Sequence, residues 1–195
     1  MLVDQSVNAG VTAQQGFALQ RNMVLFLILD NYGSKFDGAK YFLSLEHLED
    51  ILFCHLDDHG QAVKVETYQS KKKSVGNWSI DGELAEIVVK ILKVGKSLLS
   101  DSHTKCCSYN HDLYFSSNSS MKLATKVPAQ DNKAKTQTHS QTINEEDSEV
   151  VYSELDPVIQ NAITKKLEKH DSYNSENLYQ ELGNLKFLYI DFNKT

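Results

Sequence analysis

Three strand-like segments follow one another between residues 41 and 71, and this run constrains the fold more than any other feature of the chain. Residues 41–46 have a mixed strand pattern, residues 51–56 are mostly apolar, and residues 63–71 alternate apolar with polar. Asp57-Asp58-His59-Gly60 is a turn signal between the last two, which predicts an antiparallel hairpin. Helices flank the run. Thr12-Ala13-Gln14-Gln15 has the form of a capping box, and the residues after it, 16–32, are apolar on nearly every side and predict a buried helix. Gly33 and Gly38 then break it. On the far side, Asp81 is positioned to cap a helix whose Leu84, Ile87, Val88, Ile91, Leu98 and Leu99 recur at helical spacing. Glu86 and Lys90 pair on its wet face.

Residues 113–115 predict a fourth strand running into Ser116-Ser117-Asn118-Ser119-Ser120. Residues 128–149 contain no aromatic side chain and one strongly apolar one, Ile143, and read as a mobile insertion. Asp156 and Pro157 open a helix to about residue 169, a shorter helix covers 176–182, and residues 185–192 predict a last strand. The order predicts an α/β fold, with an α-β-β-β-α-β core and a C-terminal helical appendix, in a single domain over 1–195. A chain of 195 residues that is 41% hydrophobic suits one core. Its longest apolar run, residues 23–29, is too short to span a bilayer, so no membrane partner is expected. Cys54, Cys106 and Cys107 show neither disulfide nor zinc spacing, which predicts free thiols in a reducing, cytoplasmic setting.

The net charge of -6 disfavours nucleic acid at first sight, but it is unevenly spread. Residues 61–127 hold 10 basic and 6 acidic groups, whereas both flanking thirds are acidic. Lysine supplies nearly all of this positive charge, which suits diffuse attraction to phosphates more than forked recognition of bases.

Glu46, Glu49 and Asp50 fall at the junction of the first two strands, opposite the end of the third at Gln69-Ser70-Lys71. Side-chain alternation puts Gln69 and Lys71 on one strand face and Glu66 on the other. If Asp50 begins the neighbouring strand, a carboxylate, an amide oxygen and an ammonium converge on a volume fit for one Mg²⁺ and a water. The competing reading is an ordinary polar cluster at strand ends. His55, Asp57, Asp58 and His59 form a weaker metal candidate, since Asp-Asp-His-Gly is also a common turn. Cys54 reads as a small core residue.

Asp50 followed at nineteen residues by Gln69-x-Lys71, between two helices, resembles the D...(D/E/Q)xK pattern of restriction-endonuclease-like nucleases. The closer similarity is to the double-stranded DNA endonuclease domain of bacterial anti-phage effectors associated with CD-NTases, which is also borne by the nuclease subunit of Lamassu-type systems. Gly16-Phe17-x-x-Gln20 resembles that family's opening helix, Glu46-His47-Leu48-Glu49-Asp50-Ile51 its acidic motif, and Tyr68-Gln69-Ser70-Lys71 its QxK motif. Residues 113–118 are similar to its later strand ending in Ser-Asn. The resemblance spans roughly residues 10 to 120 and rests on order and spacing. It implies a restriction-endonuclease-like fold and Mg²⁺- or Mn²⁺-dependent cleavage of double-stranded DNA. It also implies that Asp50, Gln69 and Glu46 bind the metal, that Lys71 is the catalytic lysine, and that Gln20 reaches the site from the first helix. A neutral amide at 69 gives the metal less charge than a carboxylate, so Glu46 or Glu49 is expected to contribute. Lys72, Lys73, Lys90 and Lys93, with Lys64 and Lys96 nearby, are the expected guides for a DNA backbone.

Two further readings remain open: a non-catalytic interaction or assembly module that keeps a nuclease-like fold, and a DNA-binding domain without cleavage. Because a nuclease with little sequence preference endangers its own cell, control is expected through a longer effector, a homo-oligomer or a defence complex. The helices at 156–169 and 176–182 are the expected docking surface.

Overall fold

The computed structural model describes residues 5–47, 49–73, 75–129 and 135–191, with side chains described throughout except at 5–16, 19, 47 and 49. It opens with helix α1 (Gln5–Asp30), followed by β1 (Lys40–His47), β2 (Glu49–Leu56) and β3 (Ala62–Lys71). Helix α2 (Gly82–Ser100) then leads to β4 (Lys105–Ser117). The remainder holds β5 (Met121–Pro128), β6 (Thr136–Ile143), β7 (Glu149–Val151), α3 (Pro157–Leu167), α4 (Asp171–Ser175) and β8 (Leu185–Tyr189), with 3-10 turns at Tyr152–Glu154 and Leu178–Asn184.

The fold is mixed α/β. Six strands form one sheet in the order β1-β2-β3-β4-β8-β7, and β5 pairs with β6 in a separate hairpin. The meander β1-β2-β3 is antiparallel, as the short turns require, whereas β4 runs parallel to β3 and β8 parallel to β4. A parallel step needs a crossover long enough to return the chain, and α2 supplies it. The hairpin turn closes through Asp57, whose Oδ1 accepts the amides of His59 and Gln61, with Gly60 at φ 77°.

Each face of the sheet carries its own apolar cluster. Leu52, Cys54, Val65, Leu113 and Phe115 pack against α2 and α3, while Ile51, Phe53, Tyr68 and Tyr114 pack against Met23, Val24 and Leu27 of α1. Burying one such side chain contributes about 1.5–3 kcal/mol. Asp81 caps α2 by accepting the Leu84 amide at 2.9 Å, and Glu86 bonds Lys90 one turn on. Asp81→Ala is therefore expected to cost about 1 kcal/mol of stability, read as a lower urea midpoint with unchanged slope.

Several expectations need correction. Helix α1 begins at Gln5, so Thr12 to Gln15 lie inside it and form no capping box. Nor is α1 buried all round: Phe17, Leu25, Phe26 and Leu29 are exposed. The fourth strand is 13 residues long rather than three. Within the segment 128–149, read as a mobile insertion, residues Thr136–Ile143 form β6, whose Ile143 is fully buried. The helix expected at 176–182 is replaced by α4 and a 3-10 turn. The last strand ends at Tyr189, and Phe192 lies outside the described residues. Among the described residues, no helix is long and apolar enough to cross a membrane.

Candidate active site

The β2–β3 register pairs Ile51 with Tyr68, which places Asp50 opposite Gln69 one step further on. The side chains meet there: Gln69 Nε2 donates to Asp50 Oδ2 at 2.5 Å, and the Ser70 amide donates to the same oxygen at 2.8 Å. Gln69 is buried and Asp50 half-buried. Lys71 is half-buried two residues beyond Gln69, on the same strand face and level with Ser117 of β4. Asp50, Gln69 and Lys71 thus share the face that carries α2, because Leu52, Val65 and Phe115, at alternate positions or in register, belong to that cluster.

Glu46 stands opposite Asp50 in the β1–β2 register, extending the row across three strands. Its backbone is left-handed at φ 56°, which breaks the alternation, and Glu46 Oε1 accepts from Gln20 Nε2 of α1 at 2.5 Å. Helix α1 packs on the opposite face of the sheet. Four of the five candidate residues therefore form two bonded pairs at one end of the meander, Asp50–Gln69 on the α2 side and Gln20–Glu46 on the α1 side, while Lys71 joins neither pair. Leu48 lies outside the described residues, as does the side chain of Glu49.

The chain beyond Lys71 is held down by residues at the end of β4. Asn118 Oδ1 accepts the Lys73 amide at 3.4 Å, and Ser119 Oγ donates to the Lys73 carbonyl at 2.8 Å. Trp78 is buried edge-on to Phe115 and donates from Nε1 to Ser117 Oγ at 2.8 Å. The Lys73 ammonium sits 4.2 Å above the Trp78 ring and 3.4 Å from Glu83. Of the expected DNA-guiding lysines, Lys72 is exposed, Lys90 pairs with Glu86 and Lys93 with Glu176. Lys96 donates to the Glu176 carbonyl. Exposed pairs of this kind are worth well under about 1 kcal/mol, so a phosphate can displace them. Lys64 is engaged instead with Glu66 and Asp112.

The weaker metal candidate disperses. His55 bonds Glu66, Asp57 closes its turn, and Asp58 pairs with Lys40. Cys54 is buried, and burial pushes its thiol up to about 11, as befits a core residue. Among the described residues, no three His, Cys, Asp or Glu side chains are grouped to hold a metal. Asp50 offers one carboxylate. Gln69 adds an oxygen only if its amide turns over, because its NH₂ now faces Asp50.

Comparison with protein-family models, curated proteins and solved structures finds no match to this chain.

One group on the α1 face carries no signal in the sequence pattern. Glu66 is fully buried there, in ion pairs with Lys35 and with Lys64 at 3.1 Å, and in a hydrogen bond with His55 at 3.3 Å. The Lys64 ammonium lies beside Glu66 Oε1 but off its hydrogen-bonding direction.

Proposed function

We propose that the chain is a metal-dependent endonuclease domain that hydrolyses phosphodiesters of double-stranded DNA with little sequence preference, in cytoplasmic anti-phage defence. The observation that carries this reading is the Asp50–Gln69 contact across β2 and β3, with Lys71 on the same strand face. The element order, in which a helix and an antiparallel meander lead through α2 to a parallel β4, agrees with the family that the sequence resembles.

Asp50 would hold Mg²⁺ or Mn²⁺ with the oxygen of Gln69, once that amide turns, and Glu46 would join them only by leaving Gln20. When bound, such an ion supplies charge neutralisation at the scissile phosphate and lowers the pKa of a bound water. The Ser70 amide fixes the Asp50 carboxylate against β3, and Lys71 stabilises negative charge that develops on the phosphate oxygens. Lys72 and neighbouring lysines hold the backbone without reading bases.

Incubating the protein with supercoiled plasmid and Mg²⁺ or Mn²⁺ tests the reading, alongside Asp50→Ala. Nicked and linear products from the wild type alone support it, and equal products from both proteins reject this site. A non-catalytic assembly module is favoured by one observation: the Gln69 amide already donates to the Asp50 carboxylate that would hold the metal. Absence of products under either metal, with the protein folded, selects that reading.

A further inference from the structure

We propose that β1 and the adjoining flank of α1 form a two-fold interface between two copies of this chain. The interface extends the sheet through antiparallel β1–β1 pairing centred on Leu43. The proposal does not rest on nuclease activity.

The two edges of the sheet differ. β7 is three residues long and begins with a charged side chain, a usual way to discourage further pairing. β1 is eight residues long, and among the described residues no strand pairs with its outer side. Leu43 and Leu45 project from it on the α1 face, in register with Phe53 and Ile51, and are 36% and 46% exposed. Phe17 and Arg21 of α1 line one groove with Leu45 and Glu46, so the helix flank continues the strand edge. Phe17 is 59% and Leu25 53% exposed.

These four side chains leave roughly 400 Å² of apolar surface in water, taking about 200 Å² for a full large side chain. A standard interface buries about 800 Å² per partner, a little over half of it apolar, so this flank supplies about the apolar surface that one side of a stable dimer needs. Helix α3, by contrast, directs Ile159, Ile163 and Leu167 inward and offers no such surface.

The strand is self-complementary in the proposed register. Tyr41, Leu43 and Leu45 alternate along the α1 face of the strand. Antiparallel pairing about Leu43 sets Tyr41 against Leu45 of the second copy and Leu43 against itself. Apolar pairs that face each other across a ladder are favourable. A two-fold axis through this pairing is perpendicular to the sheet, so both Asp50–Gln69 pairs lie on the same face of the extended sheet.

Sedimentation equilibrium of the full chain, without DNA, tests the proposal over the micromolar range. The expected result is a reversible dimer that Leu43→Glu weakens at least about tenfold by setting like charges face to face. Leu45→Gln, a milder change checked for folding by circular dichroism, shifts the equilibrium in the same direction. Leu43→Cys, in a background carrying Cys106→Ser and Cys107→Ser, gives a disulfide-linked dimer on mild oxidation. A wild type that stays monomeric throughout overturns the proposal. So does a dimer that is indifferent to both leucine changes and gives no Leu43→Cys cross-link.

Discussion

Lys71→Ala is expected to reduce metal-dependent plasmid cleavage by roughly 10²–10³-fold while leaving the thermal midpoint unchanged, because a preorganised cation facing developing negative charge is worth that much. Lys71 is half-buried and its ammonium makes no hydrogen bond or ion pair among the described residues, so its removal leaves no partner stranded. Lys71→Arg is expected to restore little, since a planar guanidinium places its charge differently from a compact ammonium. Gln69→Glu separates the two functional readings. With a divalent cation, the added carboxylate supplies the charge that the amide lacks, and cleavage saturates at lower metal concentration. Without one, two carboxylates meet where Gln69 now donates to Asp50, and stability falls as pH rises through the carboxylate range. Full cleavage by Lys71→Ala would remove this residue from the chemistry.

The legible parts of the fold were those whose pattern is local. Helix α2 follows from its apolar spacing and the Asp81 cap, and the β2–β3 hairpin from alternation on either side of a turn. Strand β4 escaped in its first eight residues because Lys-Cys-Cys-Ser-Tyr-Asn-His-Asp has no period. Its pairing with β3 is parallel and set by α2, not by a turn. β6 is nearly all polar and is a strand through its ladder with β5, anchored where Ile143 meets Met121 in the core. The capping-box pattern misled because it marks a helix start only where the preceding residues are not themselves helical.

The candidate site was partly legible for the same reason. Hairpin register alone brings Asp50 to Gln69, and alternation puts Lys71 on the same strand face. The backbone at Glu46 was not legible: a positive φ at a glutamate carries no compositional signal, and it turns the row's third residue toward Gln20. Equally hidden was the Glu66 cluster. Lys35 reaches it from the segment after α1, thirty-one residues earlier in the chain, and only the packing of α1 on the sheet brings the two together.

That cluster carries the second large expectation, acid lability centred on Glu66. Burial alone would raise its pKa, but the hydrogen bond with His55 and the charges of Lys35 and Lys64 outweigh burial and hold it at about 2, against a usual 4.5. A depressed carboxylate pKa means that the folded state binds its proton less readily than the unfolded state. The contribution to stability is therefore complete above about pH 4.5 and fades as pH falls toward 2, and it amounts to about 3 kcal/mol. Lys64 shifts the other way: burial pulls it down, yet Asp112 and Glu66 carry it above its usual value, so its contribution persists through neutral pH. Urea unfolding of the wild type is expected to lose stability between about pH 5 and pH 3, and Glu66→Gln to flatten that slope. At neutral pH, Glu66→Gln should cost roughly 3 kcal/mol, because Lys35 and Lys64 keep their charges beside a buried amide that cannot balance them. An unchanged acid slope in Glu66→Gln would show that other carboxylates govern the acid response and that the buried cluster contributes little.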